Sequence, residues 1–338
     1  MRKFQKGVNA QKCGIVPISN TIDIRIKNGH AFSSGLVVCA NPACPVCAHR
    51  IAIKHGEELK IIIAGVVKDG GDVLMGTFTF PHDYGDALAP ALKMMSLAYG
   101  KIISGRPARR LLKKIGLIAS VRVIEVTIGP NGFHPHFHVL YFFDHRLTEA
   151  ERSLLSDFLY ERWADQVVDA GYRQPSPERG LTLSHGENAA HYISKIASEG
   201  LADELSKSEN KTGRKGSRSF YQLIDDFKKY HRDADARYLA EYSEGLYRKK
   251  RQVWSGQNLR NKYLGQVKSD LELAQEAEEE EFERAETIIK IERPDWSRMI
   301  KIDPANEERI YLIAEIRGRA GVIEFLNSIF RGHARPPP

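Results

Sequence analysis

The stretch Gly132-Phe133-His134-Pro135-His136-Phe137-His138-Val139-Leu140-Tyr141-Phe142-Phe143 constrains this chain more than any other. Val139 to Phe143 is dense in branched and aromatic side chains and reads as a strand. Side chains alternate faces along a strand, so His136 and His138 share one face about 7 Å apart while Phe137 turns into a core. Two imidazoles at that spacing can hold one metal ion. Two histidines satisfied by ordinary hydrogen bonds are the simpler alternative. His134 falls on the same face, although Pro135 disturbs the strand between them. Upstream, Ala119 to Ile128 reads as a second strand, and Gly129-Pro130-Asn131-Gly132 is a turn. A hairpin closed there sets Glu125 roughly opposite His138, whereas a register slip by one would point it away. Two histidines and a carboxylate leave positions open on an ion, as a catalytic centre requires.

A second donor set lies near the N-terminus. Cys39, Cys44 and Cys47 form C-x4-C-x2-C, with Cys13 upstream. Four thiolates would complete a closed tetrahedral zinc site and tie together a segment with little core of its own. His49 and His55 could substitute if Cys13 stands apart. An iron–sulfur cluster uses similar local spacing, but its plant type places a fourth cysteine downstream, where this sequence has none. Plain reduced cysteines are the remaining alternative. With no export signal behind the basic start, the crowded cysteines imply a reducing compartment, and the expected location is the cytoplasm. No apolar run reaches membrane-spanning length, so no membrane partner is expected.

From residue 72 the elements alternate in a definite order. Val73 to Phe80 is a strand stopped by Pro81, and Asp86 to Lys114 a helix with a break expected near Gly105-Arg106-Pro107. Its end is basic: Arg106, Arg109, Arg110, Lys113 and Lys114. The hairpin follows, then a helix over Leu147 to Ala170 with Leu154, Leu155, Phe158, Leu159 and Trp163 at helical spacing. A short strand, Gly180 to Leu183, leads into a helix over Glu187 to Ser198, with Ser184 and Glu187 spaced as a capping box. The sum is α+β: a ferredoxin-like βαββαβ order, one antiparallel sheet with helices packed on one face.

On that last helix Tyr192 and Lys195 share a face with Asn188. A phenol becomes nucleophilic once its proton is removed or its anion stabilised, and a neighbouring ammonium does the latter. Taken alone, Y-x-x-K is a common helix-face pattern. Lys207 to Ser219 is a basic loop whose glycines do not match a phosphate loop. Phe220 to Leu264 reads as charged and helical, and Glu272 to Ile289 as an acidic helix or linker. The net charge is +7, but Asp270 to Glu286 alone carries −8, leaving +15 on the remainder. That excess suits a polyanionic partner.

Taken in order, Thr77-Phe78-Thr79-Phe80-Pro81-His82, then His134-Pro135-His136-Phe137-His138, then Tyr192-Ile193-Ser194-Lys195 resemble the three motifs of the HUH endonucleases. More narrowly, they resemble the rolling-circle replication initiators (Rep proteins) of small plasmids; the cysteine segment is similar to one branch of these. The resemblance covers residues 10–200. It implies a Mg²⁺ or Mn²⁺ centre held by His136, His138, Glu125 and His134, with a structural Zn²⁺ on Cys13, Cys39, Cys44 and Cys47. It implies that Tyr192 attacks the scissile phosphate of single-stranded origin DNA and keeps the 5′ end as a phosphotyrosine ester. Lys195 would steady the phosphate, and Glu187 or Glu199 could activate water at termination. Host helicase and polymerase would be the protein partners. The expected segments are a Cys-rich zinc-binding stretch (1–60), the HUH endonuclease domain (70–200), a region of basic loop, helices and acidic helix or linker (201–290), a small C-terminal unit (291–330) and a disordered tail (331–338). A relaxase or transposase of the same class, a non-catalytic zinc-containing nucleic-acid binder and a metal phosphodiesterase using water directly are the competing readings.

Overall fold

The computed structural model describes residues 8–41, 43–185, 217–247, 249–250 and 252–332. The chain divides into two compact units: Met1–Lys6 with Asn41–Val267, and Gly7–Ala40 with Lys268–Pro338.

The larger unit is built on a five-stranded sheet. Its strands, taken with the two of the smaller unit that precede them in the chain, are β3 (Asp72–Phe78), β4 (Leu117–Gly129), β5 (Gly132–Phe143), β6 (Leu181–His185) and β7 (Gln252–Gly256). They lie in the order β6-β3-β5-β4-β7, and every neighbouring pair is antiparallel. Alternation along the central strand sorts its side chains into two cores. Phe137, Val139, Tyr141 and Phe143 pack under α3 (Leu88–Ile102), α4 (Gly105–Lys114) and α5 (Glu149–Asp169), joined by residues of α7 (Phe220–Tyr230) and α8 (Asp233–Leu246); the short α6 (Pro177–Gly180) leads into β6. Leu140 and Phe142 point the other way and meet Leu59, Ile62, Ile63 and Val66 of α2 (Pro45–Lys68) and Leu259 of α9 (Leu259–Leu264). Helices therefore cover both faces, where the sequence pattern led us to expect one. The reason is that Val73, Val121, Leu140 and Phe142 form an apolar patch that water would otherwise meet.

Local signals set the helix limits. Thr148 and Glu151 cap α5 reciprocally, and Leu155, Leu159 and Trp163 recur every fourth residue to form its buried stripe. Leu154 lies off that stripe and is exposed. The expected break near Gly105 separates α3 from α4. Ser184, expected as an N-cap, instead pairs with Met75 in β6 and directs its hydroxyl to the Met75 carbonyl. The helix expected over Glu187–Ser198 lies outside the described residues. Within the stretch read as helical from Phe220 to Leu264, β7 is a strand that borders β4 from Ala119 to Val123.

The smaller unit holds α1 (Val8–Lys12), β1 (Thr21–Lys27), β2 (His30–Ser34), α10 (Asp270–Glu283), β8 (Glu286–Glu292), α11 (Arg293–Ile302) and α12 (Asn306–Gly332), the last kinked at Gly318. Its sheet has the order β2-β1-β8. Ile22, Ile24, Ile291 and the fully buried Trp296 form its core, and the Trp296 indole donates to the Ile15 carbonyl at 2.7 Å. The acidic stretch thus ends in a strand: Thr287, Ile288 and Ile289 are branched, and Ile289 pairs with Ile24.

A charged contact fastens α9 to α2. Arg260 Nη2 donates to both Glu58 carboxylate oxygens at 2.9 Å, and His55 Nδ1 sits 3.0 Å from one of them. Burial opposes ionisation of Glu58, but these partners together hold its carboxyl below the usual range. A depressed carboxylate adds stability above its unfolded value near 4.5 and loses it as pH falls through the folded value. Arg260→Ala should therefore cost about 1–2 kcal/mol at pH 7. In paired urea melts that difference should shrink as pH falls below 4.5 and disappear once the folded-state carboxyl is protonated; a constant difference would rule out the Glu58 linkage.

Candidate functional site

The hairpin turn fixes the site's geometry. Gly129 pairs with Gly132 across Pro130 and Asn131. Proline cannot adopt a positive φ, and Gly132 does so instead, at +84°. Counting back four residues on each strand sets Glu125 against His136, not against His138 as expected from sequence. Both histidines still share Glu125's face, and its carboxylate reaches the second diagonally. Glu125 Oε2 lies 2.6 Å from His138 Nε2 and 3.5 Å from His136 Nδ1. Pro135 sits in β5 without breaking it, because the β3 ladder ends at Phe78–Phe137 and β5 is an edge strand beyond that point.

Helix α2 covers only part of this sheet face. Val73, Val121 and Leu140 lie beneath it, while further along the same face stand Thr77, Glu125, His134, His136 and His138. His138 is buried, and Glu125 and His136 are partly exposed. Burial alone would push the Glu125 carboxyl up. The two imidazoles facing it prevail, so it is held far below the usual carboxylate range and is ionised at neutral pH.

Glu125, His136 and His138 offer one oxygen and two nitrogens within 4.8 Å of one another, a group able to hold an ion. Two observations fit a metal there. His136 Nδ1 is buried yet makes no hydrogen bond, an orphan that a metal would satisfy. Thr77 Oγ1 lies 3.1 Å from His138 Nδ1. By accepting from that nitrogen it would set the ring's lone pair on Nε2, the atom facing Glu125, which is the usual support for a ligating histidine.

His134 takes a different place. Its Nδ1 engages His82 Nε2 from the loop after β3, and its ring stands edge-on to His136 at 4.2 Å between centroids. Burial, then the nearness of the His136 and His82 imidazoles, which disfavours a second positive charge, lowers its pKa to about 4. His82 is also lowered, chiefly by burial. The two are neutral imidazoles at pH 7, lying beside the Glu125 group. Tyr192, Lys195, Glu187 and Glu199 lie outside the described residues.

None of the four cysteines is in a disulfide, and Cys13, Cys39, Cys44 and Cys47 form a second group that could hold an ion. Cys44 is the N-cap of α2 and Cys47 lies in its first turn. A helix N-terminus favours the thiolate form. His55 is engaged with Glu58, and the His49 ring lies against Tyr221.

Thr77 and His82 were the residues whose roles the sequence concealed. Both lie in the first quoted motif, but Thr77 meets His138 only through the β3–β5 pairing, 61 residues apart in the chain.

A half-buried carboxylate between two histidines, on the open end of an antiparallel sheet, defines a candidate metal-binding protein of mixed α+β architecture. The profile of the family described as "Replication protein" matches residues 33–301, and the chain belongs to that family. It is 28% identical over 260 residues to "Protein rep" of Streptomyces lividans, covering 62% of this chain and 57% of that protein. It is 30% identical over 128 residues to "Protein rep" of Staphylococcus aureus, covering 35% and 53%. A "Neomycin resistance protein" of Streptomyces cyanogenus is 28% identical over 162 residues, covering 40% and 37%. The chain thus spans about half the length, or less, of these curated relatives. No solved structure matches it. Among the described residues, no helix is long and apolar enough to cross a membrane.

Mn²⁺ binding followed by electron paramagnetic resonance tests the donor set. Glu125→Gln and His136→Ala should each abolish binding at this site with unchanged circular dichroism. Thr77→Val should weaken it by about 10- to 100-fold. Parent-like affinity in all three would place the ion elsewhere.

Proposed function

We propose that this chain initiates rolling-circle replication by nicking one strand of plasmid origin DNA and holding the cut end covalently. Membership of the family supports the replication role. The observation that carries the nicking chemistry is the orphaned His136 nitrogen facing an ionised Glu125 beside His138. The strand order β6-β3-β5-β4, with α3 and α5 as its connecting helices, supports a ferredoxin-like core for residues 70–200.

Glu125, His136 and His138 would hold a divalent ion. When bound, it supplies Lewis-acid polarisation of a phosphate oxygen. Two nitrogens and one carboxylate oxygen weight the choice toward Mn²⁺ over Mg²⁺, since imidazole suits the harder ion less well. Thr77 fixes the His138 ring. The Tyr192 phenol oxygen, having passed its proton to solvent water, attacks phosphorus. The bond from phosphorus to the 3′ oxygen breaks, and that oxygen leaves as a hydroxyl after solvent returns a proton to it. Tyr192 retains the 5′ phosphate as an ester, so a later attack by a 3′ hydroxyl reseals DNA with no external energy source. Lys195 steadies the charge gathering on the phosphate oxygens. Glu187 could activate water at termination. Cys13, Cys39, Cys44 and Cys47 would hold a structural Zn²⁺, as their thiol chemistry and spacing favour. The residues from 201 onward would serve as the accessory regions expected from the sequence, and host helicase and polymerase would follow the nick.

Single-stranded oligonucleotides tiling the replicon that carries the gene, incubated with the chain and Mn²⁺, should give a protein–DNA adduct on a denaturing gel. Tyr192→Phe should abolish it, and Glu125→Gln should reduce it by about 10²-fold or more. An undiminished adduct with Tyr192→Phe would dismiss that nucleophile. Cleavage with no adduct at all would point instead to direct hydrolysis by water.

A further inference from the structure

The nicking reading uses one face of the larger unit's sheet and leaves unexplained the most biased stretch of charge in it. Between Asp86 and Glu125 the sequence holds no acid. Within that interval α4 presents Arg106, Arg109, Arg110, Lys113 and Lys114, all exposed, while Ala108 and Leu112 anchor the helix in the core. Arg106, Arg110 and Lys114 recur every fourth residue and line a groove of about 520 Å³ with Pro107 and Leu111.

This arrangement works against the helix that carries it. Cations three and four residues apart repel on a helix surface. Arg106 lies in the first turn, where the helix dipole disfavours positive charge and where α4 has no acid. The dipole favours only Lys113 and Lys114, in the last turn, and among the described residues none of the five cations meets a carboxylate. A surface serving only solubility mixes its signs. A single-sign row suits a partner that brings the missing negative charges in a row of its own.

The corner holding the row is braced. Arg162 of α5 donates from Nε to the Ile102 carbonyl at 3.0 Å and from Nη2 to the Lys101 carbonyl at 2.8 Å, closing the end of α3 just before α4 begins. Arg106 to Lys114 spans about 12 Å of helix, which equals roughly three to four nucleotides of rise along one strand of a duplex. Leu112 and Ala108 pack in the Phe137 core, so α4 lies on the sheet face opposite Glu125, His136 and His138.

We propose that the exposed cationic face of α4 is a docking surface for the phosphate backbone of duplex DNA, separate from the candidate metal centre. The choice of DNA as the polyanion rests on the replication reading; the place of the surface rests on charge and packing alone. The face positions the larger unit on double-stranded DNA without reading its sequence, while the opposite face handles the single strand.

The test uses the full chain and a 30-base-pair duplex of mixed sequence, with binding followed by fluorescence anisotropy across a salt series. A variant carrying Arg106→Gln, Arg109→Gln, Arg110→Gln and Lys114→Gln should bind at least tenfold more weakly at 0.1 M salt. Its slope of log K against log salt should be shallower by about 3, near 0.9 for each phosphate that the variant leaves unneutralised. A control removing four charges from the smaller unit (Arg293→Gln, Lys301→Gln, Arg319→Gln, Arg331→Gln) should keep the parent slope. The α4 variant should also melt no lower than the parent, because repulsion has been relieved. An unchanged affinity and slope, an equal loss in the control, a parent that does not bind duplex, or a lowered melting temperature would each overturn the proposal. Adduct formation on single-stranded DNA is scored in parallel. Its absence from parent and variant alike would defeat the nicking reading while leaving the α4 result standing.

Discussion

The contact on which the candidate metal site depends is the approach of one carboxylate, Glu125, to two imidazoles on the neighbouring strand. Everything around it serves to keep that approach possible. An ionised carboxylate is costly to bury, and Glu125 remains charged only because His136 and His138 face it. Those partners are supplied by register, and register is set by the short turn at Pro130 and Asn131. Insertion of a single residue there would turn the carboxylate to the Phe137 side, into an apolar core with no partner.

The same sheet face is divided by depth of cover. Under α2 and α9 it is hydrocarbon; past the end of that cover it becomes nitrogen and oxygen. This division gives the polar end a dry, rigid neighbour on one side and access on the other, which suits the proposed centre, where an ion and a DNA strand would meet. The opposite face has no comparable opening near the histidines among the described residues, being closed by α3, α5 and the aromatic cluster around Phe78, Tyr99 and Phe137.

Much of this was legible in the residues, and what was hidden has a physical explanation. The strands around Val123 and Leu140 and the α5 stripe announce themselves by local periodicity. The histidine face follows from alternation alone, but the partner of Glu125 does not, since it depends on how many residues the turn leaves unpaired, here Pro130 and Asn131. Thr77 was hidden because its contact with His138 is made by strand pairing across a long separation. β7 and β8 were missed for a related reason. Gln252–Gly256 and Glu286–Glu292 are short and flanked by charged helical sequence, and each becomes a strand only by joining an edge formed far away in the chain. The stretch carrying Tyr192 and Lys195 was read from residue type and order, and its roles remain those proposed above.

One bond in the core reaches further than its position suggests. The Trp163 indole, fully buried in α5, donates at 2.7 Å to the carbonyl of Thr79, three residues before His82. That bond crosses from the helical layer to the end of β3 and thereby sets where the chain leaves the sheet to bring His82 against His134. An interior aromatic on the far side of the sheet thus acts as a spacer for the histidine row. A lesion at Trp163 would reach the imidazoles as a displaced loop, and an observer recording only ion affinity would mistake a packing fault for a missing ligand.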